Sequence, residues 1–154
     1  MAGGGTGSLG AWAAPILVIF PITVTWFGDS GAYFAGYRFG KTKLIPAVSP
    51  GKTVAGSVGG FVASGFAGGV LAWLLLSQIP VYGLSAVEGV LVGVILAGVG
   101  QVADLAESVL KREAGVKDSG TLLPGHGGVL DRFDSIFFAL PLMYALLVLR
   151  VALF

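Results

Sequence analysis

Residues 89–113, GVLVGVILAGVGQVADLAESVLKRE, begin as a membrane span and end as a charged helix face. From Gly89 to about Ala103 no residue carries a charge. From there Asp104, Glu107, Ser108 and Lys111 fall at i, i+3, i+4 and i+7, which is one face of a helix. The spacing predicts that 101–113 is helical and continuous with the apolar run, so that its polar face looks into a cavity at the membrane edge. Charges of both signs there are costly unless they pair or bind something. Two readings follow. One is a functional site; the other is a solvated helix end stabilised by a Glu107–Lys111 ion pair at i, i+4.

Working outward, the rest of the chain is far more apolar than ordinary globular protein. Of 154 residues, 55% are hydrophobic and 11% charged, and the mean hydropathy is +0.91. Most of the charge crowds into residues 104–134. Three other runs lack it: Leu9 to about Phe27, Val54 to Ser77, and Ile136 to Phe154, the last interrupted by Pro141 and Arg150. A span needs about 20 apolar residues. The expected fold class is therefore all-α: a polytopic transmembrane helix bundle of about four membrane spans plus one polar segment, in a single membrane-embedded domain over 1–154. Trp12 and Trp26 flank the first run as interface anchors do, and Pro15 and Pro21 are candidate kinks. Asp29 opens a small-residue, aromatic stretch to Gly40 and is expected to face the protein interior. The glycine-rich run 54–77 is expected to pack closely on a neighbour. Residues 1–8 read as a flexible lead-in; without a basic n-region they do not start a cleaved signal peptide.

Parity places loop 38–53 and segment 104–134 on one side and loop 77–88 on the other. The first two hold Arg38, Lys41, Lys43, Lys52, Lys111, Arg112, Lys117 and Arg132; the third holds no basic residue. The positive-inside rule then assigns the charged regions to the cytoplasm. With no Cys there is no disulfide or thiolate metal site. A net charge of +1 gives no basis for a nucleic-acid partner.

The spaced polar residues carry a resemblance. Ser108, Lys111-Arg112, Lys117-Asp118, His126-Gly127-Gly128 and Asp131-Arg132-x-Asp134 follow one another at the spacing of the signature of phosphatidate cytidylyltransferases, the CDP-diacylglycerol synthases. Upstream, Asp29-Ser30-Gly31-Ala32-Tyr33, Gly36, Phe39-Gly40-Lys41 and Ser49-Pro50-Gly51-Lys52-Thr53 also resemble that family. The likeness covers roughly residues 20–154. It implies a membrane nucleotidyltransferase that joins CTP and phosphatidate to give CDP-diacylglycerol and pyrophosphate. It further implies a bacterial inner (plasma) membrane protein whose active site faces the cytoplasm. Family members carry several more helices before the Asp29 segment, so a truncated, catalytic-half chain is expected. Val54 and Ala55 stand where the family has an aromatic residue and Glu. Three rivals remain: a CDP-archaeol synthase-like enzyme acting on an ether lipid phosphate, a CTP-dependent polyprenol kinase, and an inactive fragment.

Roles can be nominated residue by residue. Asp131 and Asp134, i and i+3 at the start of the last helix, suit either the helix dipole or a cage for a hard cation. Magnesium takes oxygen ligands, commonly one or two carboxylates plus substrate phosphates. Asp104 and Asp131 are the leading ligands, then Asp134 and Asp118, with a second cation left open; the resemblance links these acids to divalent metal. Asp104, Lys111, Asp131 and Asp134 are the catalytic candidates. Lys111, Arg112, Lys117 and Arg132 are candidates for phosphate, or form a basic fringe against anionic lipid. His126, in a glycine-rich loop, is assigned a positional or phosphate-contact role. Asp29, Lys52, Thr53, Ser108, Arg112, Lys117, Asp118, His126 and Arg132 complete the substrate-binding set. Residues 49–53 are not a P-loop, because Pro46 occupies the position of its first glycine. A homodimer is expected, using the glycine-rich faces of 56–69 and 89–100.

Overall fold

The computed structural model describes residues 6–77, 79, 83–116 and 130–153, with side chains from residue 12 and, in the last helix, from 135 to 152. Lys117, Asp118 and His126 lie outside the described residues, as do the side chains of Asp131, Arg132 and Asp134. The elements are α1 (Thr6–Phe39), β1 (Lys43–Ile45), β2 (Ser49–Thr53), α2 (Val54–Leu71) continued by a π-helical turn (Ala72–Leu76), α3 (Ala86–Glu113) and α4 (Leu130–Leu153). Four of these helices are long and apolar enough to cross a membrane. The fold is the expected all-α bundle of an integral membrane protein, and α3 runs unbroken from the apolar run through the charged face.

Two local expectations change. Asp29 does not begin a new segment, because α1 continues for 34 residues to Phe39. At 1.5 Å per residue that is about 51 Å, longer than the roughly 30 Å of hydrocarbon that a span has to cross. Glycine lowers helix propensity, but here packing compensates. A Cβ on Gly31 would stand 2.8 Å from the carbonyl oxygen of Gly59, and one on Gly59 equally close to that of Gly31. The two backbones can touch only because neither residue has a side chain.

The second change is in the 38–53 loop, which contains an antiparallel hairpin with Lys43 opposite Thr53 and Ile45 opposite Ser49. Val48 N–H donates to the Ile45 carbonyl at 3.2 Å across its turn. Pro50 is tolerated because a two-stranded sheet is all edge. Val54 N–H donates to the Thr42 carbonyl at 3.0 Å, and Thr53 caps α2 by accepting from Gly56 N–H at 3.1 Å. The hairpin is thereby fixed to the start of α2.

The glycine-rich run does pack closely, on α1 at one end and on α3 at the other, where Gly68 faces Gly89 and Gly93. The faces nominated for a dimer are thus largely covered within the chain. The apolar core joins all four helices through Phe20 and Val24 (α1), Leu76, Leu96 (α3), and Ala139, Met143 and Leu147 (α4). Parity also holds in space. Lys52 of the hairpin meets Asp104 of α3 at one end of the bundle, and Glu88 of α3 meets Arg150 of α4 at the other, 3.0 Å apart. Arg150 therefore adds a basic residue to the side that the loop sequence left without one.

Candidate functional site

The hairpin end of the bundle holds a cavity of about 600 Å³ between α1, α2, α3 and the hairpin. Gly28 and Gly36 of α1, Gly40 just past its end, and Gly56 and Gly60 of α2 are among its lining residues. Asp29, Lys43, Lys52, Thr53, Ser57 and Asp104 provide its main polar lining. Such a space is within the range of small-ligand sites, and its polar groups converge from separate elements.

The geometry centres on Lys52. Its ammonium stands 2.6 Å from Asp104 Oδ2 and donates to the backbone carbonyl of Gln101 at 3.4 Å. Lys52 sits one residue before the helix cap Thr53, so α2 fixes where its stem begins. Asp104 directly follows the uncharged run of α3. Its side chain is 45% exposed, so the carboxylate keeps much of its hydration beside the lysine. Gln101 braces the same wall: its side-chain amide donates to the Ser57 carbonyl at 3.2 Å, while its Oε1 accepts from Ser57 Oγ. This double contact ties α2 to α3 beneath the Lys52–Asp104 pair.

The structure thus brings together four predicted residues, Asp29, Lys52, Thr53 and Asp104. Asp29 lines the cavity as an exposed residue, more open than an interior-facing acid. Ser108, Lys111 and Arg112 lie farther along α3 and do not line it. Glu107 is 8% exposed and its carboxylate lies 3.4 Å from Lys111, which is the i, i+4 pair of the structural reading. Arg112 is exposed in the last turn of α3, where a cation suits the helix dipole. Among the described residues no three acidic or histidine side chains gather as a ligand cluster. Three of the four nominated ligands, Asp118, Asp131 and Asp134, have side chains outside those residues.

Gln101, Ser57, Lys43, Tyr33 and Tyr37 were not nominated from sequence. Gln101 had a usable signal, being the one hydrogen-bonding side chain in the run 89–103. Tyr33 and Tyr37 continue the spacing of Asp29 at i+4 and i+8 on α1. Ser57 had none apart from its neighbours, and Lys43 depends on the hairpin.

Residues 11–150 match the profile of the cytidylyltransferase family. The chain is 47% identical over 134 residues to the phosphatidate cytidylyltransferase of Bacillus subtilis (strain 168), which covers 86% of this chain and 47% of that protein. It is 46% identical over 131 residues to the enzyme of the same name from Staphylococcus saprophyticus, covering 85% of this chain and 48% of that protein. The Staphylococcus aureus (strain COL) protein of that name is 43% identical over the same shares. The chain spans about half the length of the curated relatives it matches.

Proposed function

We propose that this chain, which belongs to the cytidylyltransferase family, uses the cavity at its hairpin end to join CTP to phosphatidate, giving CDP-diacylglycerol and pyrophosphate. One observation carries the reading. Lys52 and Asp104, far apart in sequence and each in a stretch that resembles the family's, meet at 2.6 Å in a cavity at the basic end of the bundle.

In the proposed reaction an oxygen of the lipid phosphate attacks the α-phosphorus of CTP. The bond from that phosphorus to the bridging oxygen breaks, and pyrophosphate leaves with the electron pair. Lys43 and Lys52 hold the triphosphate as point charges. Their role is positioning and electrostatic stabilisation of charge already present on phosphate oxygens. The nucleophile is an ionised phosphate, so His126 serves position or phosphate contact and no general base is required. Two carboxylates, Asp29 and Asp104, line the cavity with hydroxyl and amide oxygens nearby. This donor set fits magnesium, which commonly binds one or two carboxylates together with substrate phosphates. Asp104 would hold the ion, with Asp131, Asp134 and Asp118 as its proposed partners and room for a second cation. Bound there, magnesium would neutralise charge on the leaving pyrophosphate. Lys111 is proposed to act with these acids, and Ser108, Arg112, Lys117 and Arg132 to contact substrate.

The same reading places the hairpin end in the cytoplasm and the bundle in a bacterial inner membrane. It includes a homodimer, with the partner meeting surfaces other than the glycine faces covered by α1 and α3. Mass measured in mild detergent, corrected for bound detergent, tests this; a fully active monomer of about 16 kDa refutes it. The activity itself is tested with CTP labelled separately at the α- and γ-phosphorus. Lipid that acquires the α-label together with cytidine supports cytidylyltransfer. Lipid that acquires only the γ-label indicates a kinase, and no labelled lipid refutes the reading for this chain.

A further inference from the structure

The cavity has an aromatic edge. Tyr33 and Tyr37 line it from α1, with rings nearly parallel at 14° and centroids 6.4 Å apart. They are 68% and 83% exposed, very open for rings of this size that already touch each other. Phe34 is equally exposed at 70% and packs edge-on against Tyr33, yet it does not line the cavity. Exposed aromatics at a membrane edge are often interfacial anchors. Phe34 and Phe39 suit that role. An anchor has no need to border a polar cavity, as Tyr33 and Tyr37 do.

What shares that cavity narrows the occupant. Lys43 and Lys52 supply two cations, and the aromatic residues Tyr33 and Tyr37 border the same space from the α1 wall. A ligand that uses both kinds of group carries phosphates at one end and a flat ring at the other. Nucleobases stack on aromatic side chains because every base offers a π face, and such stacking is tolerant of the base's hydrogen-bonding pattern. A phosphatidate headgroup has the phosphate but no ring, so it would use only the lysines. We propose that Tyr33 and Tyr37 form the nucleobase platform of the cavity, stacking the cytosine ring while Lys43 and Lys52 hold the phosphates. This proposal rests on the nucleotide-binding reading above. It adds the base subsite to it.

The test compares two probes on the purified chain in detergent: CTP, and inorganic tripolyphosphate, which lacks the ring. Tyr33→Leu and Tyr37→Leu are each expected to raise the Kd for CTP about tenfold, the scale of one lost base–aromatic stack. The Kd for tripolyphosphate should stay unchanged, which also shows that the variants fold. Tyr33→Phe and Tyr37→Phe keep the ring and should bind CTP as wild type does. Phe34→Leu should alter neither Kd. An unchanged CTP Kd in both leucine variants overturns the platform while leaving nucleotide binding standing. Equal weakening of CTP and tripolyphosphate, or weakening of CTP by Phe34→Leu to the same extent, also overturns it. If the wild-type chain binds neither probe, the nucleotide reading fails and the platform with it.

Discussion

Removing the Lys52–Asp104 pair separates a structural contact from a working one. At 2.6 Å, two unit charges attract by about 6 kcal/mol if the effective dielectric constant is about 20. Little of that survives as stability. The side chains are 21% and 45% exposed, water screens them, and hydration is given up to bring them together. Open ion pairs measure about 0.2–1 kcal/mol, so the coupling in a double-mutant cycle is expected near about 1 kcal/mol. For a chain of this size that corresponds to about 2–4 °C in melting temperature. Activity should respond on another scale. Losing one group that stabilises transition-state charge typically costs about 10²–10³ in rate.

The assay is labelled lipid formed from CTP at saturating phosphatidate in mixed micelles, measured beside thermal unfolding in the same detergent. Lys52→Met and Asp104→Asn should each lower turnover at least a hundredfold and the melting temperature by only a few degrees. The double variant should regain stability and remain inactive. If either single variant keeps more than about a tenth of wild-type turnover, or the double variant recovers it, the pair only holds the hairpin to α3. The proposed site would then be wrong at its centre.

Gly31→Val forces branched carbons against the Gly59 carbonyl, so the yield of folded protein in detergent should collapse, as overpacking of about 1–3 kcal/mol or more implies. Arg150→Met removes the pair at the far end of the bundle; it should cost about 1 kcal/mol of stability and leave turnover per folded molecule unchanged. Thr42→Cys and Ser85→Cys both expose a thiol in a chain without cysteine. An impermeant thiol reagent applied to intact cells should label the second and spare the first, and the reverse result inverts the topology.

What could be read from the sequence was whatever depends on composition and helical period. Four spans follow from uncharged length, and the continuity of α3 follows from the i, i+3, i+4, i+7 spacing of its polar residues. The Glu107–Lys111 pair was likewise available from sequence, but whether it was a site or a brace was not; the structure shows it beside the cavity rather than in it. The hairpin was hidden because Ser49-Pro50-Gly51-Lys52-Thr53 lacks strand alternation, and its pairing depends on the anchorage of Thr53 and Val54 to α2. The end of α1 was hidden for a different reason. Gly28, Gly31 and Gly36 look like breaks by propensity, and only the facing glycines of α2 turn them into a contact surface. Gln101 signalled that something polar must lie near it, but its partner Ser57 is 44 residues away and no periodicity points there.

The two ends of the bundle show why an ion pair alone does not identify a site. Glu88 serves several structural roles at once. It accepts from the backbone N–H of Ser85 in a capping box, begins α3, and takes Arg150 from α4 on both carboxylate oxygens. Its donors come from a helix start and a neighbouring helix, and it does not line the cavity described above. Asp104 is placed differently. It projects from the middle of α3, where no helix terminus needs capping, and lines a cavity shared with two other helices and the hairpin. Its lysine arrives from a short hairpin rather than a packed helix. A fold that only needed to tie the hairpin to α3 could do so with the Thr53 cap and the Gln101–Ser57 contact, both already present beside it. The Lys52–Asp104 pair is thus not the sole tie between the hairpin and the bundle, and the function proposed above gives its charges phosphate and a cation to hold.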